Sequence, residues 1–496
     1  MSGARATGGF PVTLDRGAGV PLPVQLASAL REAIDDATLR PGEAVPATRE
    51  LARRLGIARG VVVAAYEQLI AEGYLAAARG RGTLVNPALG AGASAAAEPA
   101  LTGPAEASQS GPDPDPGPDP DPDPTPGPGV SGVLAPGVPI TDAVAGPAWR
   151  AAWREAAGRL GSVAPALGDP ELRSEIAEHL RRMRATARSA ADVLVTAGTR
   201  DGLGLLLTAL GGTRGRELVV GVEDPGLPSL RGAAARYGAR IVTLPADAKG
   251  LDTARLPDGV LDVVIVTPSH QYPLGGTLPL PRRRELLAWA RRTGVIIVED
   301  DFDSELRYTG SPLPTLAALD DPATGSVVLL GTFSRTVSPA LSAGYLLAPA
   351  GLRGLIEPVR AELGGPVSSV VQAALARYLA SGELRRHTAR MLRRYAARRD
   401  EVSELLAGAR GVRVRPMDGG LHAVLELTGG DAAARRARES QIRDAAAGLG
   451  VQALGGYWQQ REPGAAITGL VIGMGGADDA EFRAALAELR AILDKG

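Results

Sequence analysis

Apolar residues recur every three or four positions in three short stretches near the N-terminus, residues 23–34, 48–55 and 58–69. This period is typical of amphipathic helices that each bury one apolar face. In the second stretch we expect Thr48 to cap the start of the helix, since its hydroxyl can accept from the first N–H groups. We expect Gly56 to end it, because glycine adopts the left-handed conformation without strain. The pattern therefore predicts three small helices that share one core.

The hydrophobic period changes from helical to alternating after the third helix. Residues 74–76 and 83–85 alternate as short β-strands do, and glycines between them permit a tight turn. Arg79 and Arg81 in that turn can reach phosphate or a minor groove. Three helices followed by a two-stranded hairpin indicate a winged helix-turn-helix, in which residues 58–69 form the candidate recognition helix.

The segments PATRELA, YEQLIAEGYL and GRGT follow one another here and resemble the DNA-binding domain of the GntR family of regulators. The resemblance covers residues 10–86 and implies an α+β winged helix that binds double-stranded DNA. It implies DNA contacts by residues of the second helix, the start of the recognition helix and the wing: Arg49, Arg59, Gly60, Val61, Arg81, Gly82 and Thr83. The start of the recognition helix offers few hydrogen bonds to base edges, so we expect modest specificity or readout through the arginines.

A stretch of different composition follows, and we expect residues 87–130 to be a flexible linker. Proline occupies every second position from 112 to 126 and alternates mostly with aspartate. Such a sequence cannot pack a core and favours an extended, polyproline-like spacer that rises about 3.1 Å per residue. Its aspartates are better explained as solubilising charges than as a site for a basic partner.

Short apolar runs separated by helical patterns dominate the chain beyond residue 131. The runs are residues 193–196, 217–220, 263–267, 295–298 and 327–330. Uninterrupted apolar runs of this length are typical of parallel strands buried on both faces. Strands that alternate with helices predict a doubly wound α/β sheet, whose ligand sites lie at the carboxyl ends of the strands.

The segments that follow these strands carry glycine, hydroxyl and charged residues: TAGTR, EDPGLP, TPSHQYP, EDDFDSE and GTFSR. In this order they are very similar to the aminotransferase-like domain of MocR-type regulators, a GntR subfamily that fuses a winged helix to a fold-type-I pyridoxal-phosphate domain. The resemblance covers residues 131–496. It implies a large subdomain at about 185–355, a small α/β subdomain made of 356–496 with 131–184, and a head-to-tail homodimer.

The resemblance also implies roles in binding pyridoxal phosphate. A strand-to-helix turn and two hydroxyls would form a phosphate cradle, and the residues concerned are Thr199, Arg200, Thr332 and Ser334. Asp300 would keep the pyridine nitrogen protonated, which makes the ring an electron sink. His270 and Tyr272 would line the ring. His422 would either approach the pocket or serve as a structural histidine.

Four positions depart from the family pattern where the cofactor would be held. Arg335 stands at the position of the Schiff-base lysine, and a guanidinium with a pKa above about 12 cannot lose the proton that this chemistry requires. Leu227 replaces the aromatic residue that stacks on the ring, Phe302 the tyrosine that donates to the ring hydroxyl, and Ser342 the phosphate-binding arginine. No internal aldimine is expected, because neither of the two lysines of the chain lies in a site motif.

Composition excludes several classes of function. The net charge is −1 at pH 7, so DNA contact has to come from a local basic patch rather than from a basic coat. The chain has no cysteine, which excludes disulfides, thiolate metal sites and a cysteine nucleophile. No apolar run has the length of a membrane span and no signal peptide is recognisable, so we expect a cytoplasmic protein without a membrane partner. No metal site is expected, because the acidic residues beside Asp300 suit helix-start and salt-bridge roles better.

Three functions remain open from the sequence. The first, which we favour, is a transcription regulator whose aminotransferase-like domain has lost transamination and senses another effector or serves for dimerisation. The second is a regulator that binds pyridoxal phosphate non-covalently through Asp300 and the Thr199–Arg200 turn, with Arg335 as the phosphate cation. The third is an aminotransferase with an incidental helix-turn-helix. Arg335 opposes it, because loss of the lysine removes both the covalent anchor and the base for proton transfer.

Overall fold

The computed structural model describes both domains that the sequence predicts. The described residues are 14, 22–35, 38–71, 74–78, 82–86, 132–142, 144–159, 163–308, 314–459, 467–476 and 478–495. The predicted linker and the wing arginines Arg79 and Arg81 lie outside them. The chain divides into two compact units, Met1–Gly127 and Pro128–Gly496, and the division falls inside the predicted linker.

The first unit contains, in its described part, three helices and an antiparallel hairpin. The helices are α1 (Leu22–Asp35), α2 (Thr48–Leu55) and α3 (Arg59–Ala71), and the strands are β1 (Leu75–Ala78) and β2 (Gly82–Val85). The apolar faces of the three helices meet in one buried core, as their period predicts; it includes Leu26, Leu30, Leu51, Val62, Tyr66 and Leu69. The predicted winged helix-turn-helix is confirmed.

The two ends of α2 differ in how they match the prediction. Gly56 ends the helix as predicted, with φ at 61° and its N–H donating to carbonyls of the last turn. The prediction that Thr48 is the N-cap is wrong, because Ala47 occupies that position and no side chain caps the helix. Thr48 is the first helical residue, and its hydroxyl accepts a hydrogen bond from Nε of Arg59 at 3.5 Å. This side chain therefore links two helices instead of closing one.

An eight-stranded sheet forms the centre of the second unit. In spatial order its strands are β3 (Val193–Thr196), β10 (Gly344–Leu347), β9 (Val327–Thr332), β8 (Ile296–Asp301), β7 (Val263–Val266), β4 (Val219–Asp224), β5 (Arg240–Asp247) and β6 (Gly250–Leu251). The strands from β9 to β5 are parallel, whereas β10 is antiparallel to both of its neighbours and β6 is antiparallel to β5. The five predicted strands and the mostly parallel sheet are confirmed. The sequence pattern did not predict β5, β6 or β10.

Successive residues of the strands face two separate hydrophobic cores. In β7, for example, Val264 and Val266 belong to one core, while Val263 and Ile265 belong to the other. Helices cover both faces, as expected of a doubly wound sheet: α8 (Leu280–Thr293) and α9 (Leu316–Leu319) on the first, α6 (Thr199–Arg214), α7 (Pro228–Arg236) and α10 (Ala350–Leu363) on the second.

Three further helices join the first of these cores and correct the predicted subdomain boundaries. They are α4 (Pro147–Ala157), α5 (Pro170–Arg184) and α11 (Ser369–Ala380), and their buried residues pack with those of the large sheet. The sequence had assigned residues 131–184, and everything from 356 onward, to the small subdomain. A helical period shows that a helix has an apolar face but does not show which sheet that face covers.

A four-stranded antiparallel sheet forms the small subdomain. Its strands, in spatial order, are β11 (Val412–Val414), β12 (His422–Leu427), β14 (Gly469–Gly473) and β13 (Gln452–Ala453), and its helices are α12 (Glu383–Leu405), α13 (Ala432–Ala445) and α14 (Asp479–Lys495). Its separate core contains Leu425, Leu470, Phe482 and Leu486. Of the helices described here, none combines the length and apolar character needed to cross a membrane.

Candidate functional site

The predicted DNA-contacting residues of the helices surround the start of α3. Arg49, Arg59 and Gly60 are exposed, and Val61 is half-buried. A Cβ on Gly60 would have no other described atom within 4 Å, so this position on the helix is open. The start of α3 is therefore accessible, with arginine side chains available to pair with phosphate or base edges.

The described part of the wing begins at Gly82, which is exposed and has φ at 79°. Thr83 is half-buried, and its carbonyl accepts from the N–H of Val45 at 3.0 Å, which ties β2 to the segment before α2. The predicted contact residue Arg81 lies outside the described residues. Ala78 and Gly82 pair across the described ends of the two strands, and the predicted turn between them lies outside the described residues.

The predicted pocket residues all lie at one edge of the eight-stranded sheet. Because β4, β7, β8 and β9 are parallel, their carboxyl ends meet at this edge. Strand β3 also ends there, and the antiparallel strand β10 begins there. The residues at these strand ends are Thr199, Arg200, Leu227, His270, Tyr272, Asp300, Phe302, Thr332, Ser334, Arg335 and Ser342. The fold therefore brings together motifs that are far apart in the chain.

The start of α6 provides a cradle for an anion. The helix begins at Thr199 behind Gly198, and no side chain caps its first N–H groups. Gly198 has φ at 108°, and a Cβ there would lie 4.0 Å from Oγ1 of Thr332. Oγ1 of Thr332 accepts from the N–H of Ser334 at 3.1 Å, while the side chain of Arg200 is exposed. Free N–H groups and the positive end of the helix dipole favour a bound phosphate or carboxylate.

The carboxyl group of Asp300 is buried and has no hydrogen-bond partner in the part of the chain that the structure describes. Its exposed fraction is 2%, and neither of its oxygens hydrogen-bonds to any described group. Burial, followed by the charge of Asp301, raises the pKa of Asp300 to about 8, although the positive charge of Arg335 opposes this. Unpaired buried polar groups are rare because they are costly. The arrangement fits a ligand that brings a protonated ring nitrogen to this carboxyl.

Aromatic side chains form one wall of the pocket. The rings of Tyr272 and Phe302 are nearly perpendicular, with centroids 5.6 Å apart, and the ring of His270 stacks on Phe302 at 5.9 Å. Leu227 is partly buried against the same group. Burial raises the pKa of the Tyr272 phenol, so this hydroxyl stays protonated at neutral pH. The predicted ring-lining residues are therefore neighbours.

The two histidines near this wall each have a hydrogen-bond partner. Nδ1 of His270 lies 2.9 Å from Oδ1 of Asp303, and Nε2 of His422 donates to the carbonyl of Pro273 at 2.8 Å. Burial, with the nearby His270, lowers the pKa of His422 to about 4, which keeps this ring neutral. Potential metal-ligating atoms of His270, Asp303 and His422 lie within 4.8 Å of one another, a grouping that the sequence did not predict. Each histidine already uses one ring nitrogen in a hydrogen bond.

Arg335 is half-buried after β9 and faces the pocket. Its charge partly offsets the rise that burial causes in the pKa of both Asp300 and Tyr272. The guanidinium lies against Gly137, where an added Cβ would be 2.5 Å from Nη1. No carboxylate of a described residue pairs with it. Ser342, by contrast, is exposed and lies in the left-handed region with φ at 43°.

Both lysines of the chain are exposed and lie outside this edge of the sheet. Lys249 lies in the turn between β5 and β6, and Lys495 is the last residue of α14. The pocket therefore contains no lysine amine.

The acidic residues beside Asp300 form ion pairs, as predicted. Asp301 pairs with Arg184 of α5, and Oε1 of Glu305 lies 2.5 Å from Nε2 of His179 on the same helix. Together with the contact between Asp303 and His270, these pairs anchor the segment after β8 to its surroundings.

Sequence reasoning missed several residues that shape the pocket. Tyr457 packs edge-on against Tyr272 at 5.4 Å, but no motif marks it. Glu223, at the end of β4, accepts from the hydroxyl of Thr267, and burial raises its pKa to about 7. Gly137 has φ at 82°, and the only signal for it in the sequence is its place beside proline in a predicted loop.

Comparison with known proteins agrees with both units. Residues 22–85 match the bacterial regulatory proteins of the gntR family, and residues 140–447 match the aminotransferases of classes I and II. The chain is 40% identical over 488 residues to the HTH-type pyridoxine biosynthesis transcriptional regulator PdxR of Corynebacterium glutamicum. The aligned region covers 98% of this chain and 99% of that protein. It is 31% identical over 393 residues to the probable rhizopine catabolism regulatory protein MocR of Rhizobium meliloti, covering 78% and 77%.

Solved structures confirm the fold of the second unit. An archaeal alanine:glyoxylate aminotransferase matches with a TM-score of 0.64 at 20% identity, over 73% of this chain and 90% of that one. The kynurenine aminotransferase of Pyrococcus horikoshii, solved with PMP, matches with a TM-score of 0.62 at 23% identity, over 73% and 90%. The chain therefore belongs to the MocR-type GntR transcription regulators, in which a DNA-binding winged helix is joined to a fold-type-I aminotransferase-like domain.

Proposed function

We propose that this regulator uses its aminotransferase-like unit to sense a small ligand without transaminating it, and that the ligand state alters its binding to specific DNA sites. The observation that carries the proposal is the position of Arg335 in the pocket. A guanidinium stays protonated at all physiological pH values, so it can neither form a covalent bond to an aldehyde nor shuttle a proton. The effect of the Arg335 charge on the pKa of Asp300 supports a place for the guanidinium in the same pocket as this carboxyl.

Pyridoxal phosphate fits part of this pocket. When bound in this fold, that group supplies an electron sink for bonds broken at an amino-acid carbon. Asp300 would pair with its ring nitrogen, the start of α6 would hold its phosphate, and Arg335 would neutralise the phosphate charge. The pocket lacks the lysine amine that would bind the aldehyde covalently, because neither lysine lies at this edge of the sheet. The geometry therefore favours non-covalent binding, the second of the functions left open by the sequence.

On the DNA side, we propose that Arg49 and Arg59 pair with phosphates or bases, and that the wing from Arg81 to Thr83 contacts an adjacent groove. A head-to-tail homodimer in the cytoplasm would present two such winged helices to repeated half-sites. Two winged helices that bind the same DNA together reach a higher affinity than either one alone.

The test combines chemistry and DNA binding on the full chain. Purified protein is mixed with pyridoxal phosphate, its visible spectrum is recorded, and borohydride treatment is followed by peptide mass analysis. We expect no lysine-linked adduct, and no conversion of pyridoxal phosphate to the amine form with a mixture of the common amino acids. Fluorescence anisotropy with duplexes selected from a random pool is expected to show specific binding that changes with the ligand. Amino-acid-dependent turnover, or an adduct at Lys249, would overturn the proposal.

A further inference from the structure

Two histidines and one aspartate meet where the small subdomain contacts the large one. His270 follows β7, Asp303 follows β8, and His422 is the first residue of β12. Their exposed fractions are 7%, 3% and 4%, and one potential ligand atom of each lies within 4.8 Å of the other two. We propose that these three side chains bind a divalent transition metal ion, with zinc as its representative, and that the ion joins the two subdomains.

The donor atoms suit such an ion. Imidazole nitrogen and carboxylate oxygen are ordinary zinc ligands, and sites with three protein ligands and one open position are common. In a tetrahedral zinc site the ligand atoms are roughly 3.4 Å apart. Nδ1 of His270 lies 2.9 Å from Oδ1 of Asp303 and 3.1 Å from its Oδ2, so two of the three ligands already have about this spacing. A small shift of the His422 ring would complete the set.

A hydrogen bond holds the His422 ring in the form that can bind metal. Its Nε2 donates to the carbonyl of Pro273 at 2.8 Å, so Nδ1 keeps its lone pair. Metal-binding histidines commonly donate their other N–H to a backbone carbonyl, which fixes the orientation of the ring. The rings of His422 and His270 have centroids 5.2 Å apart. Two imidazoles from different subdomains thus lie at a spacing that a shared ion can bridge.

The backbone of the small subdomain comes close to the cluster just before His422. Gly420 has φ at 86°, and a Cβ there would overlap the ring of His270 and lie 2.8 Å from Oδ2 of Asp303. The carbonyl of Gly420 accepts a hydrogen bond from the hydroxyl of Tyr308. The segments that carry the ligands therefore pack directly against each other, and an ion between them would add a bond to both.

A small cavity beside the cluster leaves room for a fourth ligand. Its volume is about 10 Å³, close to the space that one water molecule needs. Asp303, Asp418 and Arg307 are among its described lining residues, so carboxylates outnumber guanidinium there. Of the residues predicted for the cofactor pocket, only His270 belongs to this described lining. The metal site would therefore lie beside that pocket and be separate from its phosphate and ring contacts.

Another buried histidine of the large subdomain shows a histidine–carboxylate pair without a third ligand. Nε2 of His179 lies 2.5 Å from Oε1 of Glu305. Among the described residues, this pair belongs to no group of three potential metal ligands. His179 therefore provides a matched control for the role of His422 as a third ligand.

Metal titration of the full chain tests the proposal. The protein is purified without a histidine tag, treated with EDTA and dialysed, and then titrated with zinc chloride by calorimetry. We expect one ion per chain with a Kd below about 10 μM. Cobalt chloride should give the visible absorption of a tetrahedral site. Magnesium and calcium should not compete, because these ions prefer sites made of oxygen ligands.

His422→Gln removes one ligand but keeps a side chain that can donate to the carbonyl of Pro273. This variant should bind zinc at least about tenfold more weakly than the wild type. Zinc should raise the urea midpoint of the wild type and leave that of His422→Gln unchanged, because an ion stabilises only a folded state that binds it. His179→Gln should bind zinc as the wild type does.

Three results would overturn the proposal. The first is zinc binding by the wild type weaker than about 10 μM. The second is equal zinc affinity in the wild type and His422→Gln, since the ion would then be bound adventitiously elsewhere. The third is a cobalt spectrum of the octahedral type, which decides the question even if the His422 variant does not fold. A regulator without transamination would survive all three, so the proposed function is tested separately.

Discussion

Arg335 and Gly137 are in contact because a residue without a side chain leaves room for a guanidinium. Gly137 also has a positive φ, so any side chain there is strained as well as crowded. A lysine has a smaller head group, and its amine can lose a proton when buried, whereas the planar guanidinium cannot. At this scale one side-chain type decides between covalent chemistry and reversible binding.

Gly137→Ala tests whether the position of the Arg335 guanidinium matters for ligand binding. The new Cβ would lie 2.5 Å from Nη1, so the guanidinium has to move. We expect a loss of about 1 kcal/mol in the free energy of unfolding from the positive φ and about tenfold weaker binding of pyridoxal phosphate. Gly215→Ala is the control, since Gly215 has φ at 61° but open space around its Cβ. Equal Kd values in the two variants would show that Arg335 does not hold the phosphate.

Asp300 predicts a pH dependence of stability. Its pKa is about 8 in the folded chain and near 4 in an unfolded one, so the folded state binds the extra proton between these values. Its contribution to stability is fully present below pH 4 and is lost as the pH rises to 8. We expect the stability difference between wild type and Asp300→Asn to fall over this window and to level off above it. Urea unfolding at several pH values measures it, and a constant difference would contradict the raised pKa.

Other buried carboxyl groups act in the same direction, which is why the difference between the two proteins is the quantity to measure. Burial raises the pKa of Glu223 and of Glu299 to about 7. Both groups are present in wild type and variant, so most of their contribution cancels, whereas the charge of Glu223 adds to the raised pKa of Asp300 itself.

The sequence predicted that the pocket residues lie together at the strand ends, but it did not predict the contacts they make. Motifs after strands located Asp300, Tyr272 and Arg335 because strand ends are marked by a local change from apolar to polar residues. Tyr457 approaches the same pocket from a segment without any motif. Contacts of this kind depend on how two sheets pack, which no local pattern records.

At the scale of elements, the junction between α5 and β8 joins a helix end to the edge that carries Asp300. Arg184, in the last turn of α5, is fully buried and pairs with Asp301, with further contacts to Ser304 and, at 2.9 Å, to Ser269. A single buried cation thus connects the helix to the segments after β7 and β8.

Arg184→Met should destabilise the second unit by about 3–5 kcal/mol, because it leaves the buried carboxylate of Asp301 without its cation. Arg181→Met on the same helix is the matched control. Arg181 pairs with Glu178, but the two side chains are 24% and 31% exposed, so the loss should be below about 1 kcal/mol. Urea unfolding of both variants compares them. If both variants lost the same free energy of unfolding, the buried ion pair of Arg184 would contribute no more to stability than the exposed pair of Arg181.

The sequence predicted the strands whose own residues are strongly apolar. It missed the strands that form because they pair with neighbours. Strands β7, β8 and β9 each begin with an uninterrupted apolar run, because both faces of the sheet are covered there. Strand β5 is only half-buried along most of its length, and β10 is a four-residue strand that runs against its neighbours. Direction and neighbour order are set by long-range packing, so the helices α4, α5 and α11 were also assigned to the wrong core.

At the scale of the whole molecule, DNA binding is expected to depend on a few arginines of the first unit. Arg59→Ala should weaken binding to a selected duplex and reduce the slope of log K against log salt by about one, as for the loss of one phosphate contact. Arg53→Ala is the control, because Arg53 is exposed nearby but paired with Glu50 at 2.7 Å. Anisotropy titrations at several salt concentrations give both slopes, and equal slopes would remove Arg59 from the interface.

Assembly is the second prediction at this scale. We expect the full chain to sediment as a dimer and to bind a duplex as two copies, since repeated half-sites require two winged helices. Analytical ultracentrifugation with and without DNA measures this. A monomer that binds DNA with unchanged affinity at all concentrations would contradict it.

The carboxyl of Asp300, which has no hydrogen-bond partner among the described residues, would also link ligand supply to the lifetime of the protein. A buried polar group without a partner lowers the stability of the ligand-free state, and a ligand present at about 100 times its Kd adds about 2.7 kcal/mol. Because cellular proteases degrade the opened fraction of a protein, the empty regulator should be cleared faster than the loaded one. A pulse-chase in cells starved of and then fed with pyridoxine would show this as a change in half-life that Asp300→Asn reduces. The regulator would then report its ligand twice, through its affinity for DNA and through its abundance.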